Sequence, residues 1–313
     1  MNANEFKGHV AMLVAEALWG LMAPVGKFVL SGAVVTPLIL TDCRMIGAAC
    51  LFWIVSFFTK QEHVNHKDML SMFFAALLGI VFNQGSYLFG LGLTTPINAS
   101  IVTTSLPILT MIIAAIYLHE PVTGKKLLGV FMGAVGALLL ILSGQRLSGG
   151  DSGSIWGVLL CLFAQFCFSL YLVFFKGLIG KYSPITLMKW MFTYSSICMI
   201  PFSYTQLLAM DWQMLDFRTM GGIAMVVVGG TFISYLLIPI GQKSLRPTVT
   251  SMYNYVQPII ASIVAVAWGM DSFNFLKIIA VILVFTGVFF VTQSKSRAQM
   301  EEYERKKAAE KAD

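Results

Sequence analysis

Ten runs of about twenty mostly apolar residues follow one another along this chain, and a run of that length is what an α-helix needs to cross a bilayer's hydrocarbon core. With glycine, proline and charged residues read as breaks, the runs fall at approximately 8–29, 36–58, 69–92, 96–117, 123–143, 154–177, 184–207, 219–240, 246–268 and 273–293. Backbone groups in hydrocarbon must find their partners within the protein, so the runs predict helices. Connections are mostly under a dozen residues, which leaves no room for an extramembrane catalytic domain. Only 12% of the 313 residues are charged, about half the share of a soluble domain. The expected fold class is therefore an all-α membrane protein of ten transmembrane helices. The first run is long, carries Glu16 and Trp19 and is followed by further spans, so it reads as a retained helix and not a signal peptide.

Lysine and arginine mark the cytoplasmic side. An inside N-terminus puts Lys7, Lys60, Lys67, Lys125, Lys126, Lys176, Lys181, Lys243, Arg246 and six tail residues on that side, 15 in all. Only Lys27, Arg146, Arg218 and Lys277, four residues, fall outside. Both termini are thus expected in the cytoplasm. From Lys295 onward the composition turns charged, and Glu301/Arg305 and Glu302/Lys306 predict a solvated helical extension.

An internal repeat shows in the register of prolines and charges. Pro96 and Pro107 recur as Pro247 and Pro258, and the same offset of 151 maps Glu120 to Asp271, Lys126 to Lys277 and Gly136 to Gly287. Ser86-Tyr87 recurs as Ser234-Tyr235 at 148, and Lys27 as Lys176 at 149. Five helices per repeat is an odd number, so the second unit enters the membrane from the opposite face. The expected organisation is a first five-helix repeat over 1–143, an inverted second repeat over 154–293 and a charged cytoplasmic tail over 294–313. Inverted repeats are a recurrent plan of secondary transporters, with the substrate near the midplane between the halves.

Polar groups inside a bilayer are costly, so they mark cavities or partners. Glu16 is the one carboxylate deep in an apolar run, on a helix face shared with Gly20, Ala23 and Lys27 and beside Trp19. It could bind a substrate amine or exchange a proton, or serve as a structural partner of Arg44 or of a neighbouring hydroxyl. The ninth run is the most polar. Thr250, Tyr253, Asn254 and Gln257 share a face by helical spacing and run into Pro258. They offer amide and phenol groups to a polar solute, or interhelical bonds. Asn83, Gln84 and Tyr87 add a third group; Thr231, Ser234, Tyr235, Gln165 and Ser169 read equally as packing bonds. Arg44 with Asp42, and Lys189, read as anchors or ion-pair members near helix ends. Gly129, Gly133 and Gly136 predict close helix packing, and the five cysteines, all in apolar runs, read as small buried hydrophobes.

No HExxH, GxSxG or Walker loop is present, and the four histidines fall in or beside expected cytoplasmic loops. An enzyme is not expected, no cofactor or metal is implied, and uphill movement would draw on an ion gradient or a second solute.

The stretches AEALWGLMAPVGK, TDCRMIGA, TTPINASIVTTSLPILT, HEPVTGKKLLGVFMGAVGALLL and, most specifically, SLRPTVTSMYNYVQPIIASIVA resemble the drug/metabolite transporter superfamily, in its EamA type, up to about residue 293. The resemblance implies two inverted five-helix halves in a bacterial cytoplasmic (inner) membrane. It also implies transport, often export, of amino acids or related metabolites, with helices 1, 3, 4, 6, 8 and 9 lining the cavity. The chain departs from the pattern where MDS replaces the first half's HEP, and Lys189 stands roughly where Arg44 stands. The expected function is a secondary transporter working by alternating access. Glu16, Trp19, Asn83, Gln84, Tyr87, Tyr253, Asn254 and Gln257 are its substrate-binding candidates, and Glu16 its candidate proton carrier. Its partners would be a small-molecule substrate, the lipid bilayer and a coupling proton or counter-solute, with no nucleic acid. The rivals are a non-transporting membrane sensor or assembly partner, and an intramembrane enzyme.

Overall fold

The computed structural model describes residues 3–31, 34–94, 96–143, 154–267, 275–295 and 300. Arg146, Asp271 and the tail beyond Lys295, Met300 apart, lie outside them, as do the side chains of Ala23, Pro24, Lys27 and Pro96. The described residues form helices and turns, without a strand. In chain order these are α1 (Ala3–Ser31), α2 (Pro37–Phe57), α3 (His66–Ala76), α4 (Asn83–Leu93), α5 (Pro96–Thr103), α6 (Leu106–Tyr117), α7 (Gly124–Ser143) and α8 (Ile155–Phe174). Then follow α9 (Lys176–Lys181), α10 (Pro184–Ala209), α11 (Phe217–Val227), α12 (Ser234–Ser244), α13 (Pro247–Met252), α14 (Val256–Ala267) and α15 (Phe275–Thr292). Among the described residues, six stretches are long and apolar enough to cross a membrane: Pro37–Phe57, His66–Leu93, Ala99–Tyr117, Ile155–Phe174, Phe217–Ser244 and Phe275–Thr292. Large apolar side chains such as Phe57, Phe131, Trp156, Phe217 and Phe289 stand exposed on the exterior. Lipid, not water, suits a surface of that kind.

Several of the long segments are internally broken, each with a local cause. Six-residue π-helical stretches, Leu77–Phe82 and Val228–Ile233, join α3 to α4 and α11 to α12. Each contains a glycine under a bulky neighbour. A Cβ on Gly79 would lie 2.9 Å from the Tyr171 ring of α8, and one on Gly230 would collide with Met22 of α1. The turn between α5 and α6 precedes Pro107, which has no N–H to give the ladder. A 3₁₀ turn, Tyr253–Tyr255, separates α13 from α14 just before Pro258.

Glycine also sets the closest helix crossings. On α7, a Cβ at Gly129 would sit 2.6 Å from the Gly287 carbonyl oxygen of α15, and one at Gly136 2.7 Å from that of Ala280. The expected glycine packing of this helix is therefore present, with Gly133 lying under the Tyr255 ring. Gly20 of α1 lies against Ile260 and the Gln257 carbonyl of α14. That approach carries Glu16 to the start of α14. Cys161 and Cys167 are buried as expected, but Cys50 faces outward.

Bonds between loops tie the ends of the bundle. Glu62 accepts from the Ser183 N–H at 2.9 Å and its hydroxyl at 2.8 Å, ahead of α10. Asp68 meets Lys181 and Tyr182. Glu120 pairs with Lys126 at 2.6 Å and accepts from Thr248 of α13 at 3.2 Å. The left-handed His119 (φ 52°) closes the end of α6, with the Glu120 N–H on the Ala114 carbonyl at 3.2 Å, and so aims Glu120 at that pair. Arg246 donates to the Ser294 carbonyl at 2.8 Å. Thr36 donates to Gln206 at 2.9 Å, and the Ser154 N–H to the Leu93 carbonyl at 2.9 Å.

Candidate functional site

Glu16 is 3% exposed, on α1 in the middle of the bundle. Its carboxylate accepts a 2.6 Å hydrogen bond from the Gln257 side-chain amide. The same nitrogen donates to the Asn254 Oδ1 at 2.8 Å. Asn254 in turn donates to the Thr103 carbonyl at 3.1 Å, and Tyr255 to the Thr104 carbonyl at 3.1 Å. These two carbonyls lie at the α5–α6 break, where the helical ladder no longer uses them in full. One continuous chain therefore runs from the α1 carboxylate through the α13–α14 break to the α5–α6 break.

Above Glu16 lies a narrow cavity, with room for about one water-sized sphere, bordered among others by Met12, Trp19, Phe168, Gln242, Thr250 and Ser251. The space is too small for a metabolite, so the bundle is shut around the carboxylate. Among the described residues, the Gln242 Nε2 and the Thr250 hydroxyl are buried here with no hydrogen-bond partner. The Gln242 Oε1 is held by the Tyr171 hydroxyl at 3.3 Å, which turns the free amide nitrogen elsewhere.

Trp19 borders the same cavity, and its indole N–H donates to the Gly230 carbonyl at 2.9 Å, inside the second π stretch. Its ring meets Tyr235 at 5.4 Å and Phe168 at 6.3 Å. Asn83 and Gln84 form a second group. Asn83 donates to the Ala164 carbonyl at 2.9 Å, and Gln84 donates to Asn83 at 3.1 Å and to the Tyr235 hydroxyl at 3.4 Å.

The other two candidates stand apart. The Tyr253 hydroxyl is hydrogen-bonded to the His9 Nδ1 of α1 at 2.6 Å and, among the described residues, shares no side-chain bond with Asn254 or Gln257. The 3₁₀ turn changes the angular step per residue, so the face expected from α-helical spacing is split. Tyr87 is partly buried near Cys161 of α8, with no hydrogen bond to either group among the described residues.

Arg44 corrects its expectation. It neither reaches a helix end nor pairs with Asp42 or Glu16; its Nε donates to Thr231 at 3.0 Å and its Nη1 to Gln84 at 3.2 Å. Two positions on a helix turn the side chain by about 200°, which separates Arg44 from Asp42. Lys189 is buried, 3.4 Å from the Ser56 hydroxyl and over the Trp53 ring at 4.6 Å; among the described residues it forms no ion pair, with the Glu62 charge acting only at longer range. Ser169 and Thr110 bond each other at 3.1 Å, a packing contact. Reading the sequence missed Gln242 and His9. Gln242 lies two residues past the expected end of its helix, and only the Arg246-Pro247 pair beyond it signals that the helix continues.

The profile of the EamA-like transporter family matches residues 6–142 and, separately, 155–293. The chain is 25% identical to the Bacillus subtilis protein YyaM, described as an uncharacterized transporter, over 77% of this chain and 79% of that one. It is 26% identical to an uncharacterized transporter of Archaeoglobus fulgidus, over 74% and 78%. A Salmonella typhimurium relative, YicL, described as an uncharacterized inner membrane transporter, is 20% identical over 94% and 98%. A solved crystal structure superposes with a TM-score of 0.76 at 16% identity, over 91% of this chain and 96% of that one, and so shares its fold.

Proposed function

The chain belongs to the EamA-like transporter family, and from that premise we propose that it is a secondary transporter that exports small metabolites, such as amino acids or related compounds, across the bacterial cytoplasmic membrane by alternating access. Ten helical spans in two inverted halves carry this activity, with both termini in the cytoplasm. Transport, not catalysis, is the chemistry of such a membrane site.

Repeated contacts support the two-half reading. The π stretches lie 151 residues apart, and so do their glycines, Gly79 and Gly230. Gly90 packs against Gly157 and Cys161 as Gly241 packs against Gly8 and Met12. Three hydrogen bonds join residues at a separation of 151: Gln84 to Tyr235, Asn254 to Thr103 and Tyr255 to Thr104. In an inverted repeat, equivalent residues touch each other beside the two-fold axis, so such bonds support that reading. The loop contacts support the topology. Glu62–Ser183, Glu120–Thr248 and Arg246–Ser294 join segments expected inside, and Thr36–Gln206 and Leu93–Ser154 join segments expected outside.

The observation that carries the reading is the buried Glu16, answered among the described residues by the Gln257 amide and bordering a cavity too small for a metabolite. A carboxylate at that depth needs a proton, a cationic group of the substrate or water as the two faces open in turn. Glu16 therefore exchanges a proton for the substrate, with Gln257 and Asn254 holding it in place and Trp19 packing on the solute.

The test is counterflow in proteoliposomes loaded with an amino-acid and metabolite panel, at several pH values. The wild type should move at least one solute, and Glu16→Gln should reduce the rate at least tenfold and flatten its pH profile. Movement of no solute would sink the transporter reading; an unchanged rate and profile in Glu16→Gln would sink the proton role alone.

A further inference from the structure

We propose that Arg44, framed by Gln84, Thr231 and Tyr235, is an anion-binding subsite that receives a carboxylate of the transported solute; this rests on the transport reading above. Arg44 is a full cation on α2, turned inward, and both of its acceptors are neutral: the Thr231 hydroxyl at 3.0 Å and the Gln84 amide oxygen at 3.2 Å. Among the described residues it forms no ion pair and its Nη2 meets no acceptor. Guanidinium groups in a membrane interior ordinarily pair with an anion. Among the described residues none is paired with it.

The frame is built to aim the cation. The Thr231 hydroxyl gives its own proton to the Val226 carbonyl at 2.9 Å, so only a lone pair is left for Arg44. The Gln84 amide nitrogen is held by Asn83 at 3.1 Å and Tyr235 at 3.4 Å, which turns its oxygen to Arg44. Asp42, two positions earlier, has both carboxylate oxygens buried with no partner at hydrogen-bond distance among the described residues; Ser203 is its neighbour and donates to the carbonyls of its own helix. It is a separate group and does not neutralise Arg44.

The charge class follows from the neighbours. Tyr235 is within electrostatic reach of both Arg44 and Glu16, and its ring touches Trp19, which borders the Glu16 cavity. Guanidinium takes a carboxylate through two parallel N–H bonds. A phosphate dianion would bring a second negative charge towards Glu16 with one cation to answer it. A monovalent carboxylate fits, and a solute that also carries an amine satisfies both ends.

The experiment measures thermal unfolding of the purified full chain in nanodiscs with four probes: mixed amino acids, the amines lacking their carboxylates, the carboxylic acids lacking their amines, and inorganic phosphate. Carboxylate-bearing probes should stabilise the wild type and carboxylate-free amines should not. Arg44→Gln should raise the half-saturating concentration by about 30-fold or more, and Arg44→Lys by less. Gln84→Leu keeps the charge while loosening the frame, and should also weaken binding; it decides the matter if Arg44→Gln does not fold. The subsite is overturned if no carboxylate binds, if the amines or phosphate bind as well as the carboxylates, or if folded Arg44→Gln binds within about threefold of the wild type. Carboxylate binding through Arg44 without counterflow would overturn transport and leave the subsite; counterflow indifferent to Arg44 would do the reverse.

Discussion

The pair formed by Glu120 and Lys126 should be worth far more when half of it is removed than when all of it is. The two charges are 2.6 Å apart, with side chains 7% and 1% exposed. Coulomb attraction at that distance is about 6 kcal/mol for an effective dielectric constant of about 20. Desolvation costs several kcal/mol per ion and cancels most of it. Lys126→Met removes the attraction but leaves Glu120 buried, with the Thr248 hydroxyl at 3.2 Å as its hydrogen-bond partner and the Lys176 and Arg246 charges within electrostatic reach. The expected loss is about 3–5 kcal/mol. The double variant Glu120→Leu/Lys126→Met removes both desolvation costs, and it should unfold within about 1 kcal/mol of the wild type or above it. Equilibrium unfolding in mixed micelles, read by the exposure of the buried Cys161 and Cys167, measures both. A single-variant loss below about 1 kcal/mol, or a double variant as unstable as the single, would refute this reasoning.

Two more outcomes follow from particular contacts. Gly136→Leu must force α7 off α15, because a Cβ there already lies 2.7 Å from the Ala280 carbonyl oxygen; a loss of about 1–3 kcal/mol or more is expected in the same unfolding assay, and a neutral result would mean the crossing is not close-packed. At Glu62, burial pushes the carboxyl up, but hydrogen bonds from Thr186 and Ser183 and the Lys243 charge outweigh it and hold it below the usual carboxylate range. Its stabilisation is therefore present above the unfolded value of about 4.3 and lost as pH falls through the lowered folded value. Melting curves from pH 7 to 3 should show a shallower acid-side slope in Glu62→Gln, and parallel slopes would contradict the assignment.

The helices were legible because hydrocarbon permits few alternatives, and apolar length alone marks them. The breaks inside them were less so. Gly79 and Gly230 look like ordinary small residues in sequence; only the Tyr171 and Met22 side chains lying on them reveal why the backbone widens there. Pro239 lies inside α12, so an end near residue 240 was a reasonable reading that left Gln242 outside the helix. Glu16 and Gln257 were each visible as polar residues in apolar runs. Their pairing was not, because it depends on Gly20 letting α1 reach α14, a contact 240 residues away in sequence. Arg44 was misread for a similar reason. Position along a helix gives depth, whereas its partners Thr231 and Gln84 come from two other helices.

The repeat also has a finer register than matching letters implied. Ser86-Tyr87 and Ser234-Tyr235 agree at an offset of 148, yet Tyr235 bonds Gln84, 151 residues away, in step with the π stretches. On the inverted-repeat reading, Tyr235 is therefore the counterpart of Gln84 and not of Tyr87. On that reading, the same register separates what the two halves share from what they do not. Helix breaks and glycine crossings occur in both halves, but at the paired breaks the second half supplies the side chains of Asn254 and Tyr255, and the first supplies only the carbonyls of Thr103 and Thr104. On the proposed alternating-access reading, the shared breaks are where the halves would move against each other. On the same reading, the unshared side chains, with Glu16 and Arg44 in the first half and Gln257 and Tyr235 in the second, are the proposed source of selectivity for a solute.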